Sequence, residues 1–573
     1  MRDAALPLKG RGLRCAEPDF HARARSVRVL GDETHVMARA EQRRIRQRDG
    51  GRWFGCERVR GDRLIEVRAF LGFGLHVLVR AGADGGLAAK REQGDGRSQS
   101  PDARRQPELT RQIAANGLVS RTHDKSLPPF IGFGQTLAVD IDSLRARLAG
   151  TATLRPVGKV VGVTGLMLRV TLPGARVGDV LIVHRRGEPL SAEVVGFAAG
   201  EALVVPLGDL SGVGPDDLVE STGSGLEVAA GEALLGRVLD GLGRPIDGRE
   251  APTGLKWVPV DRAPPPALGR RPVDTAVASG VRVIDGLMTL GVGQRVGLFA
   301  GSGVGKSMLL GAIARGTSAD VVVVALVGER GREVSEFLER ALGAAGRARS
   351  VVVVATSDAP PVERLRAAQV ATAIAEYFRD AGKNVMLLVD SVTRVARAQR
   401  EIGLAAGEPP ARRGYPPSVF ALLPRLLERS GQGETGAITA IYTVLVEGGD
   451  MDEPIADEVR GILDGHIVLD RQIASRGHYP AVDAVISLSR VMDQVVTSAH
   501  VQAARRVRSA LATYEQKRDL IALGAYEKGT DERLDKALAV MPELERFLCQ
   551  DAELSEPLEK TRAELLRLAQ KLG

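Results

Sequence analysis

The stretch that decides the fold is Val296-Gly-Leu-Phe-Ala-Gly-Ser-Gly-Val-Gly-Lys-Ser307, followed directly by Met308-Leu-Leu-Gly-Ala-Ile-Ala314. The apolar run Val296–Ala300 predicts a strand, the glycines predict a turn, and the residues after Ser307 predict a helix. Glycines let successive backbone N–H groups face one concavity, and the helix N-terminus adds positive potential there. The pattern predicts a phosphate-binding loop, although Ala300 stands where the strict pattern has glycine.

We assign phosphate binding to the whole loop, which comprises Gly301, Ser302, Gly303, Val304, Gly305, Lys306, Ser307 and Met308. Lys306 would reach the β- and γ-phosphates of ATP, and the Ser307 hydroxyl would ligate Mg²⁺. The alternative is a chance match in a chain with 67 glycines. The strand–turn–helix context argues against chance.

Charge is distributed unevenly along the 573 residues, whose net charge is +7. Residues 1–130 contain 26 basic and 16 acidic residues, so the remaining chain contains 52 basic and 55 acidic residues. The basic excess therefore lies entirely in the N-terminal segment. The rest of the chain shows no electrostatic footprint for nucleic acid, and we expect no nucleic-acid partner.

Residues 1–135 form a basic extension with little helical or strand periodicity. Three interpretations remain open for it. It could be a disordered arm that binds RNA or acidic lipid, a small domain of unrecognised type, or translated upstream sequence included by a wrong start. We place no functional residue in it.

Cysteine usage and hydropathy indicate the compartment. Cys15, Cys56 and Cys549 show no spacing typical of zinc sites or disulfide frameworks. No apolar run approaches the roughly 18 residues of a membrane helix, and no signal-type segment opens the chain. We expect a cytoplasmic protein.

Residues 150–225 consist of short β-branched runs separated by Gly, Pro and charged turns. This pattern predicts a small antiparallel β-barrel, with assembly rather than chemistry as its role. Residues 491–573 contain amphipathic helical stretches, which predict a C-terminal helical bundle.

Residues 226–490 alternate near-continuous apolar runs with helical stretches, which predicts an α/β domain with a parallel sheet covered on both faces. The predicted strands include Val321–Val327, Val351–Ala355, Val385–Val389 and Ala437–Val446, and the predicted helices include Val334–Ala344 and Val362–Asp380.

Two acidic positions follow predicted strands of this domain. Asp390 ends the run Asn384–Asp390, at the sheet edge where ligands bind, and is the candidate second Mg²⁺ ligand; a helix cap is the alternative. Glu329 is the candidate for positioning and activating water, and Arg330 for orienting phosphate or Glu329. Glu333 competes with Glu329 for the first role, and a solvated charged turn is the alternative to both.

Three segments resemble the catalytic subunits of rotary ATP synthases and their relatives. They are the phosphate loop, Gly328-Glu-Arg-Gly-Arg-Glu333 and Pro480-Ala-Val-Asp-Ala-Val-Ile-Ser-Leu-Ser489. Further segments resemble the ATPases of type III protein export. They are Gly301–Gly305, Gly414-Tyr-Pro-Pro-Ser-Val-Phe420, Ile462-Leu-Asp-Gly-His-Ile-Val-Leu-Asp470 and Ile521-Ala-Leu-Gly-Ala-Tyr-Glu-Lys-Gly529. The resemblance covers about residues 140–573.

The resemblance implies a RecA-like P-loop NTPase domain and a ring homohexamer with ATP between neighbouring subunits. It implies that Arg490 is an arginine finger for the neighbour's γ-phosphate, a role worth about 10³–10⁵ in rate. It also implies that adenine packs against Tyr479, for which a core tyrosine is the alternative. The barrel would form a membrane-proximal collar at the inner face of the cell membrane. The helical bundle would meet chaperone-bound cargo and a central stalk, and stator proteins would complete the apparatus.

Three function classes remain open: an export ATPase, the catalytic subunit of an ATP synthase, and a Rho-type RNA helicase. A helicase barrel would need aromatic side chains for base stacking, and residues 154–225 contain only Phe197. Among export ATPases, Val446–Glu458 and Ser489–Val496 resemble the injectisome branch more than the flagellar one. We therefore favour an injectisome ATPase.

Overall fold

The computed structural model describes residues 54–55, 68–69 and 156–573. In a first unit, residues 1–134, strand β1 (Phe54–Gly55) pairs antiparallel with β2 (Arg68–Ala69). The three interpretations of the basic extension otherwise concern residues outside the described part. The second unit, residues 135–573, contains the elements that follow, and the predicted barrel residues 150–155 are also outside the description.

Six strands form a closed antiparallel barrel, in the order β3-β4-β7-β6-β5-β8. Their bounds are β3 Val157–Thr164, β4 Met167–Thr171, β5 Val180–His184, β6 Leu190–Ala198, β7 Glu201–Pro206 and β8 Leu218–Ser221. On β5, Leu181 and Val183 are fully buried in the barrel core, whereas Ile182 between them is only partly buried. This alternation is typical of a strand with one face toward the core. The predicted barrel is confirmed.

Nine strands of the described residues form the central sheet. They are β10 Val238–Asp240, β14 Arg295–Ala300, β15 Val321–Glu329, β16 Ser350–Thr356, β17 Asn384–Asp390, β18 Gly431–Gln432, β19 Ala437–Leu445, β20 Gly465–Leu469 and β21 Leu488–Ser489. The order is β10-β16-β15-β17-β19-β14-β20-β21, with β18 on β19; only β18 and β21 pair antiparallel. Two further antiparallel pairs join β9 (Glu227–Ala230) to β11 (Lys256–Pro259) and β12 (Ala276–Val277) to β13 (Leu290–Gly291).

The helices that precede the C-terminal helices lie between strands, except the last, which follows β21. They are α1 Arg282–Leu287, α2 Lys306–Gly316, α3 Gly331–Glu336, α4 Gly343–Ala348, α5 Pro361–Asp380, α6 Val392–Ala405, α7 Pro417–Leu427, α8 Pro454–Ile462, α9 Arg471–Ser475 and α10 Met492–Val495. The C-terminal helical domain contains α11 Ser498–Ala522, α12 Glu532–Leu548 and α13 Leu558–Lys571.

Strand β15 shows why the central strands are apolar throughout. Val321, Val323 and Val327 join the hydrophobic cluster that contains α5, α6 and α7. Val322 and Val324 join the opposite cluster, which contains α2 and the helices of the C-terminal domain. Because side chains alternate along a strand, both faces of β15 must be apolar. The predicted doubly covered parallel sheet is confirmed.

The prediction of one helix over Val334–Ala344 is wrong in detail. A π-helical turn, Phe337–Leu342, separates α3 from α4. Gly343 takes φ 63° and ψ −179°, which regular α-helical hydrogen bonding does not allow. Helical periodicity in the sequence does not distinguish a π turn from an α turn over so few residues.

Among residues 156–573 no helix has the length and hydropathy needed to cross a membrane.

The packing of α2 against the π turn generates a prediction. A Cβ added to Gly311 would lie 2.3 Å from the backbone oxygen of Ala341, so Gly311→Ala forces the two elements apart. We expect a loss of roughly 1–3 kcal/mol in unfolding free energy by chemical denaturation. Gly461→Ala in α8 is the control, because a Cβ there meets no atom within 4 Å. It should gain about 0.5–1 kcal/mol, and equal behaviour of the two variants would contradict the packing argument.

Candidate active site

The parallel sheet brings the predicted site residues to one edge. Strands β14, β15 and β17 end at Ala300, Glu329 and Asp390. Carboxyl ends of parallel strands share an edge, where ligands bind in open α/β sheets. The phosphate loop, the candidate base and the candidate metal ligand therefore meet, as predicted from their positions after strands.

The loop has the backbone geometry that its glycines were expected to allow. Gly303 and Gly305 take φ 79° and 88°, values that favour glycine, and α2 begins at Lys306. A cavity of about 520 Å³ lies over the loop. It is lined by Gly301, Ser302, Gly303, Gly305, Lys306, Ser307, Met308, Glu329, Arg330 and Glu333, among others. Val304 differs from the other loop residues: its side chain is buried and does not line the cavity.

Lys306 lies between two acids. Its Nζ hydrogen-bonds to Oδ1 of Asp390 and lies 3.4 Å from Oε1 of Glu329. Asp390 is 2% exposed, and its Oδ1 also accepts a hydrogen bond from Thr443 Oγ1 at 2.8 Å. The positive charge of Lys306 allows two buried carboxyl groups to lie near each other.

Glu329 is a buried acid whose pKa is shifted upward. Burial and the charge of Asp390 raise the pKa of Glu329 to about 7, although Lys306 and Arg394 oppose the shift. Its hydrogen bond with Glu333 lowers the pKa of Glu333. Of the two competing acids, the structure thus places Glu329 deeper and gives it the pKa closer to that of a general base.

Three residues of the site were missed by sequence analysis. Arg394, in the first turn of α6, pairs with Oε2 of Glu329 at 3.3 Å and lines the cavity. Arg471 also lines the cavity, and Thr443 holds Asp390. The signal available for Arg394 was its position four residues after Asp390, at the start of a helix following a strand. Arg330 lines the cavity rim but is largely exposed, 3.7 Å from Glu333.

Tyr479 lies beside the loop at a second, apolar cavity of about 270 Å³. Its ring is half-exposed and faces Gly305, where an added Cβ would lie 3.4 Å from Cδ1 and Cε1. Met308 lines both cavities. The loop between α12 and α13 completes this cavity with Gln550, Asp551 and Ala552. An apolar, open pocket next to a phosphate loop suits a flat base.

Arg490, predicted to act on the phosphates, lies away from the cavity. It is exposed and follows β21, at the end of the sheet, where its backbone N–H donates to Asp464 O at 2.9 Å. Within residues 156–573 its guanidinium forms no hydrogen bond or ion pair. It is therefore free to contact another molecule.

The residues proposed for Mg²⁺ fit a hard cation. Ser307 is at the start of α2 on the cavity lining, and the buried carboxylate of Asp390 lies behind Lys306. Among the described residues no three or more His, Cys, Asp or Glu side chains are grouped to hold a metal alone. Mg²⁺ commonly takes one or two protein oxygens and completes its shell with phosphate oxygens and waters.

Three family models match the chain in order along its length. The β-barrel domain of the ATP synthase alpha/beta family matches residues 160–223, and its nucleotide-binding domain matches residues 280–489. The C-terminal domain of the type III secretion ATPase EscN matches residues 496–567.

Curated relatives of two kinds are similar to the chain. The flagellum-specific ATP synthase of Bacillus subtilis (strain 168) is 52% identical over 421 residues, which cover 73% of this chain and 96% of the relative. The type 3 secretion system ATPase of Xanthomonas euvesicatoria is 53% identical over 421 residues, 73% of this chain and 95% of the relative.

Solved structures agree with the sequence relatives. One is the assembled ATPase EscN from the type III secretion system of enteropathogenic E. coli, which is 46% identical to this chain. The match covers 72% of this chain and 100% of the solved EscN chain, with a TM-score of 0.68. EscN in complex with its central stalk EscO gives a TM-score of 0.67 at the same identity and coverage. The chain belongs to the ATP synthase alpha/beta family and, within it, to the ATPases of type III secretion and flagellar export.

Proposed function

We propose that this chain is the ATP-hydrolysing motor of a type III protein secretion system, in which it releases and unfolds chaperone-bound substrates for export. The observation that carries the proposal is that the residues proposed for catalysis lie at two separate places on the subunit. Lys306 and Glu329 line the cavity and Asp390 lies buried behind Lys306, whereas Arg490 is unpaired within residues 156–573 and lies at the end of the sheet. A ring homohexamer with ATP between neighbouring subunits would bring the two places together.

Each residue at the cavity has a separate proposed role in ATP hydrolysis. The loop amides and Lys306 hold the phosphates and offset their charge. Glu329 accepts a proton from the attacking water, and Arg330 and Arg394 orient Glu329 or the phosphate. Mg²⁺, held by Ser307 and Asp390, would supply charge neutralisation at the phosphate oxygens. Arg490 of a neighbouring subunit would stabilise the charge that spreads over the transferred phosphoryl group.

The base pocket supports ATP as the nucleotide. The ring of Tyr479 faces Gly305, and apolar side chains surround it. Stacking on an aromatic ring contributes about 0.5–1.5 kcal/mol beyond area burial. The pocket thereby positions adenosine so that its phosphates reach the loop.

We propose the partners and the cellular location of this chain from those of its relatives. EscN has been solved with its central stalk, so we propose that the helical domain, residues 491–573, meets a stalk protein and cargo, with stator proteins at the apparatus. The barrel, residues 150–225, would form the collar of the ring. We propose a cytoplasmic location, peripheral to the inner face of the cell membrane, with no nucleic acid as partner.

The first test concerns Glu329 as the base. Its carboxylate must be ionised to accept a proton, and its pKa is raised to about 7. The ionised fraction grows as pH rises through this value, so kcat/KM should increase between about pH 5.5 and 8.5 and then level off. Glu329→Gln should lower kcat by roughly 10²–10⁴-fold and remove the step.

Glu336→Gln is the matched control, because Glu336 lies on α3 outside the cavity and pairs with the exposed residues Arg332 and Arg340. It should keep the wild-type pH profile. A flat profile for the wild type, or an unimpaired Glu329→Gln, would remove Glu329 from the mechanism.

The second test concerns the shared site. With the full chain, specific ATPase activity should rise with protein concentration and should not respond to single-stranded RNA. Arg490→Ala should bind nucleotide normally but lose the acceleration that comes with assembly, by up to about 10³–10⁵-fold.

Lys306→Ala should lose turnover, whereas Lys383→Ala, on an exposed loop, should not. Activity that requires RNA would favour a Rho-type helicase, and full activity in dilute monomer would contradict the trans finger.

The third test separates the two export systems, since relatives of both kinds match at 52% and 53% identity. We propose the injectisome, from the segments Val446–Glu458 and Ser489–Val496. The chain should restore effector secretion in a strain that lacks its injectisome ATPase, and Lys306→Ala should not. Restored flagellar motility without restored secretion would assign the chain to flagellar export instead.

A further inference from the structure

The segment Val485–Arg490, which carries the proposed arginine finger, is fixed to the sheet domain by hydrogen bonds. The Nε2 atom of His466 lies 2.8 Å from the carbonyl oxygen of Ile486. The backbone N–H of Arg490 donates to Asp464 O at 2.9 Å. The position of the finger is therefore determined by the contacts of the residues just before it.

One contact reaches this segment from the helical domain. Arg508, on α11, donates from Nη2 to the carbonyl oxygen of Ser487 at 2.6 Å. Among the described side chains of α11, α12 and α13, no other is hydrogen-bonded to Val485–Arg490. Arg508 thus links the helical domain to the backbone three residues before Arg490.

Arg508 is placed at an electrostatic cost. Its Nε atom is shielded from solvent and has no hydrogen-bond partner within residues 156–573. It forms no ion pair with an acid in that range, and burial lowers the pKa of its guanidinium. Partial burial of a charge that has no acidic partner opposes folding, so a purely structural role is poorly served by arginine. An arginine at this position is explained if its charge and its hydrogen bond act on the segment Val485–Arg490.

Arg508 is one of three arginines whose charges act on His466. Burial and the charges of Arg460, Arg490 and Arg508 lower the pKa of His466. Of these arginines, Arg460 pairs with Asp457 at 3.2 Å, whereas Arg490 and Arg508 have no acidic partner among the described residues. Arg490 and Arg508 therefore add positive charge near His466 that no ion pair offsets, while Asp483 accepts hydrogen bonds from the N–H groups of Val485 and Ile486. Positive charge beside the finger favours an approaching phosphate group.

We propose that Arg508 is a positioning residue for Arg490. It holds the carbonyl of Ser487 and adds unpaired positive charge beside the finger, so that Arg490 faces the phosphates of the neighbouring subunit. This inference rests on the proposed role of Arg490. Because Arg508 belongs to α11, a partner that displaces the helical domain also displaces the finger segment. The helical domain is thereby coupled to the rate of hydrolysis.

The test uses the full chain with Arg508→Met, which keeps the length of the side chain and removes its charge and donor. We expect kcat of the assembled protein to fall about 10- to 100-fold, as for a small misplacement of a catalytic group. Nucleotide affinity and the sedimentation of the assembly should not change. Arg508→Lys keeps a charged donor and should recover most of the loss.

Arg505→Met is the matched control. Arg505 lies on the same helix, is exposed and pairs with Asp493 at 2.9 Å. It should retain wild-type kcat. If Arg508→Met does not fold, Arg508→Gln, which keeps a donor without the charge, takes its place against Arg508→Lys.

A double variant distinguishes positioning from independent effects. If Arg508 acts through Arg490, Arg490→Ala with Arg508→Met should have the kcat of Arg490→Ala alone. Additive losses would overturn the inference, and so would wild-type kcat in Arg508→Met or equal losses in the Met and Lys variants. If Arg490→Ala itself keeps full kcat, the proposed finger fails. If only Arg508→Met keeps it, the finger stands and the present inference alone fails.

Discussion

The ammonium group of Lys306 between the carboxyl groups of Asp390 and Glu329 is the interaction on which the site depends. Without that charge, two buried acids this close would not both ionise. The three groups reach each other only because β14, β15 and β17 are parallel and end at one edge. The apolar cores on both faces of the sheet hold those strand ends in place. A phosphate that enters the loop must compete for the same ammonium group, so nucleotide binding changes the electrostatics of both acids.

The helical domain contacts the proposed site from two directions. Its α12–α13 loop lines the pocket beside Tyr479, and Gln550 in that loop donates to Gly280 O at 2.8 Å, just before α1. On the other side, Arg508 holds the segment that leads to Arg490. The pocket proposed for the base and the segment of the proposed finger thus both contact the same domain. In the proposed ring, movement of that domain would reach both sides of each shared site.

The fold and the site were predicted mainly from the periodicity of apolar residues and from the polar residues that follow predicted strands. Continuous apolar runs indicated a buried parallel sheet, and the positions of Glu329 and Asp390 after such runs placed them at the binding edge. The glycine-rich loop was recognisable because its backbone conformation excludes most other residues at Gly303 and Gly305. The resemblance to export ATPases added Tyr479 and Arg490, which no local pattern indicates.

The fold class, the order of the domains and the phosphate loop were therefore predictable from the sequence, because these depend on local conformation and on the period of apolar residues. Three features emerged from the folded structure alone: Arg394 pairs with Glu329, Val304 is buried away from the cavity, and Arg508 donates a hydrogen bond to Ser487. The folded structure also showed that a π turn interrupts the predicted helix after Glu336. These features depend on contacts between residues far apart in the chain or on fine backbone geometry. Neither leaves a periodic signal in the sequence.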